Sequence, residues 1–162
     1  GDFGSLKSPF HPSPLDSDSM DRFTFFIIEL RDREVQAFCH NHRSRNIRDG
    51  VIVSDPPFLR YGHVIREMNS DDCKEDALPI VGVDPDSELC DYLEGQNRIA
   101  SAVLPTFARA SGCHMKILSI ETVSYQSRAL LRIRLSNTAD PGIDKFLRKV
   151  FSLFSTAVEI YE

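Results

Sequence analysis

The residues from Ile143 to Phe154 constrain the fold more than any others in the chain. Ile143, Phe146, Leu147, Val150, Phe151 and Phe154 fall at i, i+3, i+4, i+7, i+8 and i+11, one apolar stripe at helical spacing. Asp140-Pro141 precedes the stripe, an N-cap residue followed by a first-turn proline. A helix this one-sided must lie on another layer, so the Phe-rich stripe reads as core and not as a cofactor box. The preceding residues supply that layer. Residues 115–125 and 128–136 read as a β-hairpin. In its second strand Ala129, Leu131, Ile133 and Leu135 share one face, and Arg128, Leu130, Arg132 and Arg134 share the other. Residues 157–161 read as a closing strand.

A second helix is expected after Asp84-Pro85, with Leu89, Tyr92, Leu93, Ile99, Ala100, Val103 and Phe107 near helical spacing. Gly95 and Pro105 predict a break or a kink in it, and Ser111-Gly112 its end. With residues 78–83 as a strand in front, the lobe from 78 to 162 is expected to be an α-β-β-α-β sandwich. Upstream the pattern changes. Residues 23–30 and 35–39 form two β-rich runs across an Arg31-Asp32-Arg33 turn. Asp49-Gly50 leads into Val51-Ile52-Val53, Pro56-Pro57 breaks that strand, and Tyr61 to Ile65 begins another. Short strands with tight turns predict a small, strongly bent, SH3-like β-unit over 22–66. Residues 67–77 form an acidic connecting loop, and 1–21, rich in Pro, Ser and Asp, a tail or linker. The expected class is α+β: the bent β-unit packed beside the sandwich. At 162 residues it fits one domain or two small lobes sharing a core.

Charge narrows the function. The net charge of −5 argues against a surface that coats phosphates indiscriminately. The total hides an asymmetry, because residues 67–94 hold ten acidic residues against one Lys, while 105–149 hold eight Lys and Arg against three acids. Local fields of this kind can steer a polyanion despite the overall sign. Cys39, Cys73, Cys90 and Cys113 are scattered without a CxxC pair, which points to a reducing compartment. No leader or membrane-spanning run is legible, so a cytoplasmic setting without membrane attachment is expected.

Four segments in order carry a family resemblance. They are Asp49-Gly50-Val51-Ile52-Val53 with Tyr61-Gly62-His63-Val64; His114-Met115-Lys116-Ile117; Ala139-Asp140-Pro141-Gly142-Ile143-Asp144; and Phe154-Ser155-Thr156-Ala157-Val158-Glu159-Ile160. Across residues 23–161 the chain resembles the C-terminal domain of the polymerase-suppressor (PSP-type) protein family, and is similar to the kinetoplastid proteins that bind cycling messenger RNAs. The resemblance implies RNA-linked work in a ribonucleoprotein, without a shared catalytic centre. Pro141-Gly142 stands where the family carries a basic residue, and no cysteine cluster aligns with the iron–sulfur role of bacterial members.

Three basic groups are candidates for RNA contact. Arg43, Arg45 and Arg48, with His42, sit in a loop between strands, where guanidinium groups can pair with phosphates and stack on bases. Lys145, Arg148 and Lys149 occupy the polar face of the last helix, whose bland reading is a solvated surface. Arg132 and Arg134, with Arg128, would line an open sheet if helices cover the other face, or else pair with acids of residues 67–94 across a lobe interface. Cys39-x-x-His42 and Cys113-His114 could hold a metal only if two distant loops met, so no metal or cofactor is expected. No nucleophile elbow or phosphate-binding Gly-rich loop is present, and Asp71, Asp72, Glu75 and Asp76 read as a solvated linker. The reading is a non-catalytic module of an mRNA-associated complex that contacts single-stranded RNA. Its rival is a protein-interaction scaffold without direct RNA contact.

Overall fold

The computed structural model describes residues 22–40, 50–73, 76–82 and 88–162. Those residues form eight strands: β1 (Phe23–Glu29), β2 (Glu34–His40), β3 (Gly50–Asp55), β4 (Phe58–Met68), β5 (Leu78–Gly82), β6 (Ile117–Tyr125), β7 (Arg128–Leu135) and β8 (Ala157–Tyr161). They also form two helices, α1 (Glu88–Ala110) and α2 (Ile143–Leu153). The strands make one sheet in the order β1-β2-β5-β3-β4-β6-β7-β8, and a further pairing of β1 with β4 closes its first five strands into a barrel.

The hairpins are local. β1 and β2 pair antiparallel from Phe23↔His40 to Glu29↔Glu34, and β3 and β4 pair around a cis Pro56-Pro57 bond. Closure is not local. β4 is eleven residues long and bends, so its first residues pair with β3 and β6 and its last with β1. Gly62 makes the β1 approach possible: a Cβ there would stand 2.6 Å from Ile28 Cγ2 and 2.7 Å from the Glu29 carbonyl oxygen. Phe26, Ile28, Val35, Val51, Val53 and Val64 fill the interior.

Beyond the barrel, β6 and β7 form a hairpin and β8 adds parallel to β7 by way of α2. Both helices cover one face, where Leu131, Ile133 and Leu135 meet Ala100, Leu104, Phe146 and Val150. The first turns of α1 instead put Cys90 and Leu93 against Ile52, Leu59 and Val81 on the outside of the barrel. At 23 residues α1 is about 35 Å long, enough to span both lobes.

The α+β class stands, with a five-stranded barrel and extra strands as its architecture. Three local expectations change. Residues 78–82, counted above with the C-terminal lobe, form β5, which fills the gap between β2 and β3 in the barrel. α1 has no break at Gly95 and continues past Pro105 to Ala110, because Leu93, Asn97, Ala100 and Leu104 bury one continuous face and tertiary packing overrides the local cost of Gly95. Phe151 is 56% exposed, so the stripe of α2 buries Phe146 and Val150 inside the helix and Phe154 just after it. The eleven-residue helix turns Phe151 past the edge of the contact.

Asp140 does not cap α2 in the expected way. The N-cap is Gly142, without a side-chain bond. Asp140 Oδ1 accepts the Gly142 N–H at 2.8 Å, and Oδ2 accepts those of His114 and Met115 at 2.7 and 2.6 Å. One carboxylate thus ties the α1–β6 connection to the start of α2.

Candidate nucleic-acid interface

Because α1 and α2 cover one face of β7, alternation turns Arg128, Leu130, Arg132 and Arg134 to the other. Register builds the rest of that face. β6 sets Tyr125, Val123, Glu121 and Ser119 opposite those four residues. β8 sets Ala157, Glu159 and Tyr161 opposite Leu130, Arg132 and Arg134, and β4 sets Phe58 opposite Tyr125.

Arg132 is the centre of this face. Its guanidinium carbon lies 4.4 Å from the Phe58 ring centroid and 4.6 Å from that of Tyr161, and its Nε donates to Glu159 Oε1 at 2.9 Å. Two rings and a carboxylate hold the side chain in one orientation. Tyr125 is 37% exposed, with its ring 5.7 Å from Phe58, and Arg128 and Arg134 are exposed at the two ends of β7. Exposed rings beside arginines are the groups on which unpaired bases stack, and free guanidinium groups pair with phosphates.

Glu121, the acid that β6 brings to this face, is committed to the barrel. Arg60 is 5% exposed and holds Glu121 through two parallel bonds, Nε to Oε2 at 2.9 Å and Nη2 to Oε1 at 2.6 Å. Its Nη1 donates to Asp55 Oδ2 at 3.0 Å and its Nη2 to Asp32 Oδ1 at 2.7 Å, and Asp55 also accepts from Arg33 at 3.2 Å. Burial opposes the charge on Arg60, but the Glu121 and Asp32 carboxylates outweigh it and hold the guanidinium more firmly protonated than usual. At Asp32 burial likewise works against the charge, and Arg60 outweighs it to leave the carboxyl below its ordinary range. Sequence reasoning missed this cluster. Its members come from the β1–β2 turn, the end of β3, β4 and β6, and no spacing rule links them.

Of the residues singled out in the sequence, Arg132 and Arg134 share the open face with Arg128. Arg132 is held by Glu159, and among the described residues no ion pair joins it to an acid of residues 67–94. Lys145 and Arg148 are exposed and Lys149 is half-buried on α2, on the opposite side of the layer, so the sheet separates them from the arginines of β7. Arg43, Arg45, Arg48 and His42 lie outside the described residues. Cys39 is buried inside the barrel and Cys113 packs against the α1–α2 core, so these two cysteines sit in different clusters. Among the described residues no group of three or more His, Cys, Asp or Glu is placed to hold a metal. No helix among them is long and apolar enough to cross a membrane.

The class defined by this architecture is an α+β protein in which a closed barrel continues into a sheet backed by helices on one face and bearing Arg128, Arg132 and Arg134 on the other. No family model matches the chain, and neither does any curated protein or solved structure.

Proposed function

We propose that this chain is a non-catalytic, cytoplasmic binding module of an mRNA-associated complex, and that it contacts single-stranded RNA on the open face of β6, β7 and β8. The observation that carries the reading is Arg132 held between Phe58 and Tyr161, with Tyr125, Arg128 and Arg134 exposed around it. Bases stack on the exposed Tyr125 ring, and the outer arginines take phosphates. The resemblance to the polymerase-suppressor C-terminal domains supports the same reading. In its terms the barrel is the bent, SH3-like unit and the helix-backed sheet the sandwich. Arg43, Arg45, Arg48 and His42 remain RNA-contact candidates on their side-chain chemistry alone, and Lys145, Arg148 and Lys149 form a second, weaker basic surface on the far side of the sheet.

The scaffold reading has one observation of its own. Pro56, Pro57, Phe58, Leu78, Pro79 and Tyr125 wall a groove of about 550 Å³ that would take a peptide segment.

Fluorescence anisotropy with labelled single-stranded RNA at two salt concentrations tests the proposal. Wild type is compared with Tyr125→Ala, with Arg128→Ala/Arg134→Ala and with the Arg43, Arg45 and Arg48 to Ala triple variant. Salt-sensitive binding that weakens in the first two variants is the expected result. A folded wild-type chain that binds no RNA overturns it and leaves the scaffold reading.

A further inference from the structure

The groove beside Tyr125 is built from three separate parts of the chain. Pro56, Pro57 and Phe58 come from the β3–β4 turn and the start of β4, Leu78 and Pro79 from the start of β5, and Tyr125 from the end of β6. Pro56, Pro57 and Tyr125 are exposed, and the other three are half-buried. The Phe58 and Tyr125 rings stand 5.7 Å apart and inclined at 55°, an angled pair and not a flat stack. No Asp, Glu, Lys, Arg or His lines the groove, so an ionic ligand finds nothing there to pair with. Uncharged walls of proline and aromatic rings suit a polyproline II segment, whose backbone is set in advance and whose ridges pack on rings.

The chain carries such a segment itself. Residues 1–21 lie outside the described residues, and their sequence sets Pro9, Pro12 and Leu15 at i, i+3 and i+6. A polyproline II helix has three residues per turn, so these three fall on one face, an apolar ridge about 19 Å long. From Ser8 to Leu15 there is no Asp, Glu, Lys or Arg, which matches the uncharged groove.

Register brings segment and groove within reach of each other. Phe38 of β2 pairs with Phe25 of β1 on one side and with Pro79 of β5 on the other. The groove wall at Pro79 is therefore two strand spacings from β1, about 10 Å. Arg22 stands about 10 Å further along β1, at right angles to that step, which leaves a gap of about 15 Å. Leu15 precedes Arg22 by seven residues, and seven extended residues reach about 23 Å. A segment tethered this close meets the groove at an effective concentration on the order of millimolar, ahead of a free peptide of similar composition.

We propose that the segment from Pro9 to Leu15 docks in the groove beside Tyr125 of its own chain, with Pro9, Pro12 and Leu15 against the Phe58 and Tyr125 rings. A peptide from another protein must displace it to enter. The docking stands apart from the RNA reading and is tested without RNA.

Amide NMR spectra of the full chain, wild type against Pro9→Ser/Pro12→Ser/Leu15→Ser, test this. Shifts are expected to change at Ser54, Phe58, Leu78, Ser124, Tyr125 and Gln126, and to change equally at about tenfold lower protein concentration. A synthetic peptide of residues 8–16 is expected to reverse them in the triple variant, and to bind wild type about tenfold more weakly or less. Chymotrypsin is expected to cleave after Phe10 about fivefold faster or more in Tyr125→Ala, at an exposed ring, than in wild type. If the triple variant fails to fold by circular dichroism, that cleavage rate decides. The proposal is overturned if the groove amides ignore the triple substitution or if Tyr125→Ala leaves cleavage unchanged. It is overturned equally if the changes fade on dilution, which makes a second copy the occupant, or if the peptide binds wild type and variant alike, which leaves the groove free for a partner.

Discussion

Arg60 and Glu121, 61 residues apart in the chain, are joined by two hydrogen bonds of 2.9 and 2.6 Å. Arg60 stands on β4 of the barrel and Glu121 on β6 of the helix-backed sheet. Only two residue pairs link those strands through the backbone, Phe58↔Tyr125 and Leu59↔Ser124, so the ion pair is a principal polar tie across the seam.

Removing one partner should be costly. Glu121→Ala leaves Arg60 buried with part of its charge uncompensated and is expected to lose about 3 kcal/mol of stability in urea unfolding. Asp32, whose side chain is 49% exposed, contributes through the same guanidinium but is screened by water. Asp32→Ala is expected to cost no more than about 1 kcal/mol. Equal losses in the two variants would contradict the geometry.

Asp140 predicts an acid-side dependence. The N–H of Gly142 foremost, with those of His114 and Met115, holds its carboxyl below the ordinary 3.8 against the opposing effect of burial. A folded value below the unfolded one stabilises the protein above pH 3.8, and that contribution is lost as the pH falls through the folded value. Thermal melts of Asp140→Asn should show a lower Tm than wild type at pH 7 and a shallower decline below pH 4. Parallel curves would remove Asp140 as the cause.

Gly62→Ala places a methyl group against Ile28 and the Glu29 backbone. The backbone oxygen cannot rotate away, so β1 must shift off β4. We expect a loss of about 2 kcal/mol or more, measured by chemical denaturation, with amide exchange faster in β1 and β4 than in β7.

The two ends of the α2 stripe should behave differently. Phe146→Ala empties a fully buried site and is expected to cost about 3 kcal/mol or more. Phe151→Ser, at a mostly exposed site, is expected to change stability by less than about 0.5 kcal/mol.

On the open face, Arg128→Ala/Arg134→Ala should leave the melting temperature unchanged, since both side chains are exposed. If each contacts a phosphate, the slope of log K against log salt for single-stranded RNA should flatten by about 0.7 per arginine. An unchanged slope would place the phosphate contacts elsewhere.

The alternation of β7 and the period of α2 are local properties, so residues 128–135 already separated a core face of Leu131, Ile133 and Leu135 from an arginine face. The β1–β2 and β3–β4 hairpins were legible for the same reason, from apolar runs punctuated by turn residues. A cavity between α1 and the barrel was not. Glu94, Asn97, Arg98 and Ser101 of α1 line it only because β1 and β4 stand opposite them.

The sequence by itself determined the β6–β7 hairpin, the alternation of β7 and the period of α2, because those periods arise within a few residues of backbone. The tertiary structure alone decided that β5 joins the barrel, that Gly62 admits β1, that Arg60 meets Glu121 and that Phe58 and Tyr161 enclose Arg132. Each of those contacts joins residues from separate elements. No local propensity encodes such a distance; only the packing of the whole chain brings the groups together.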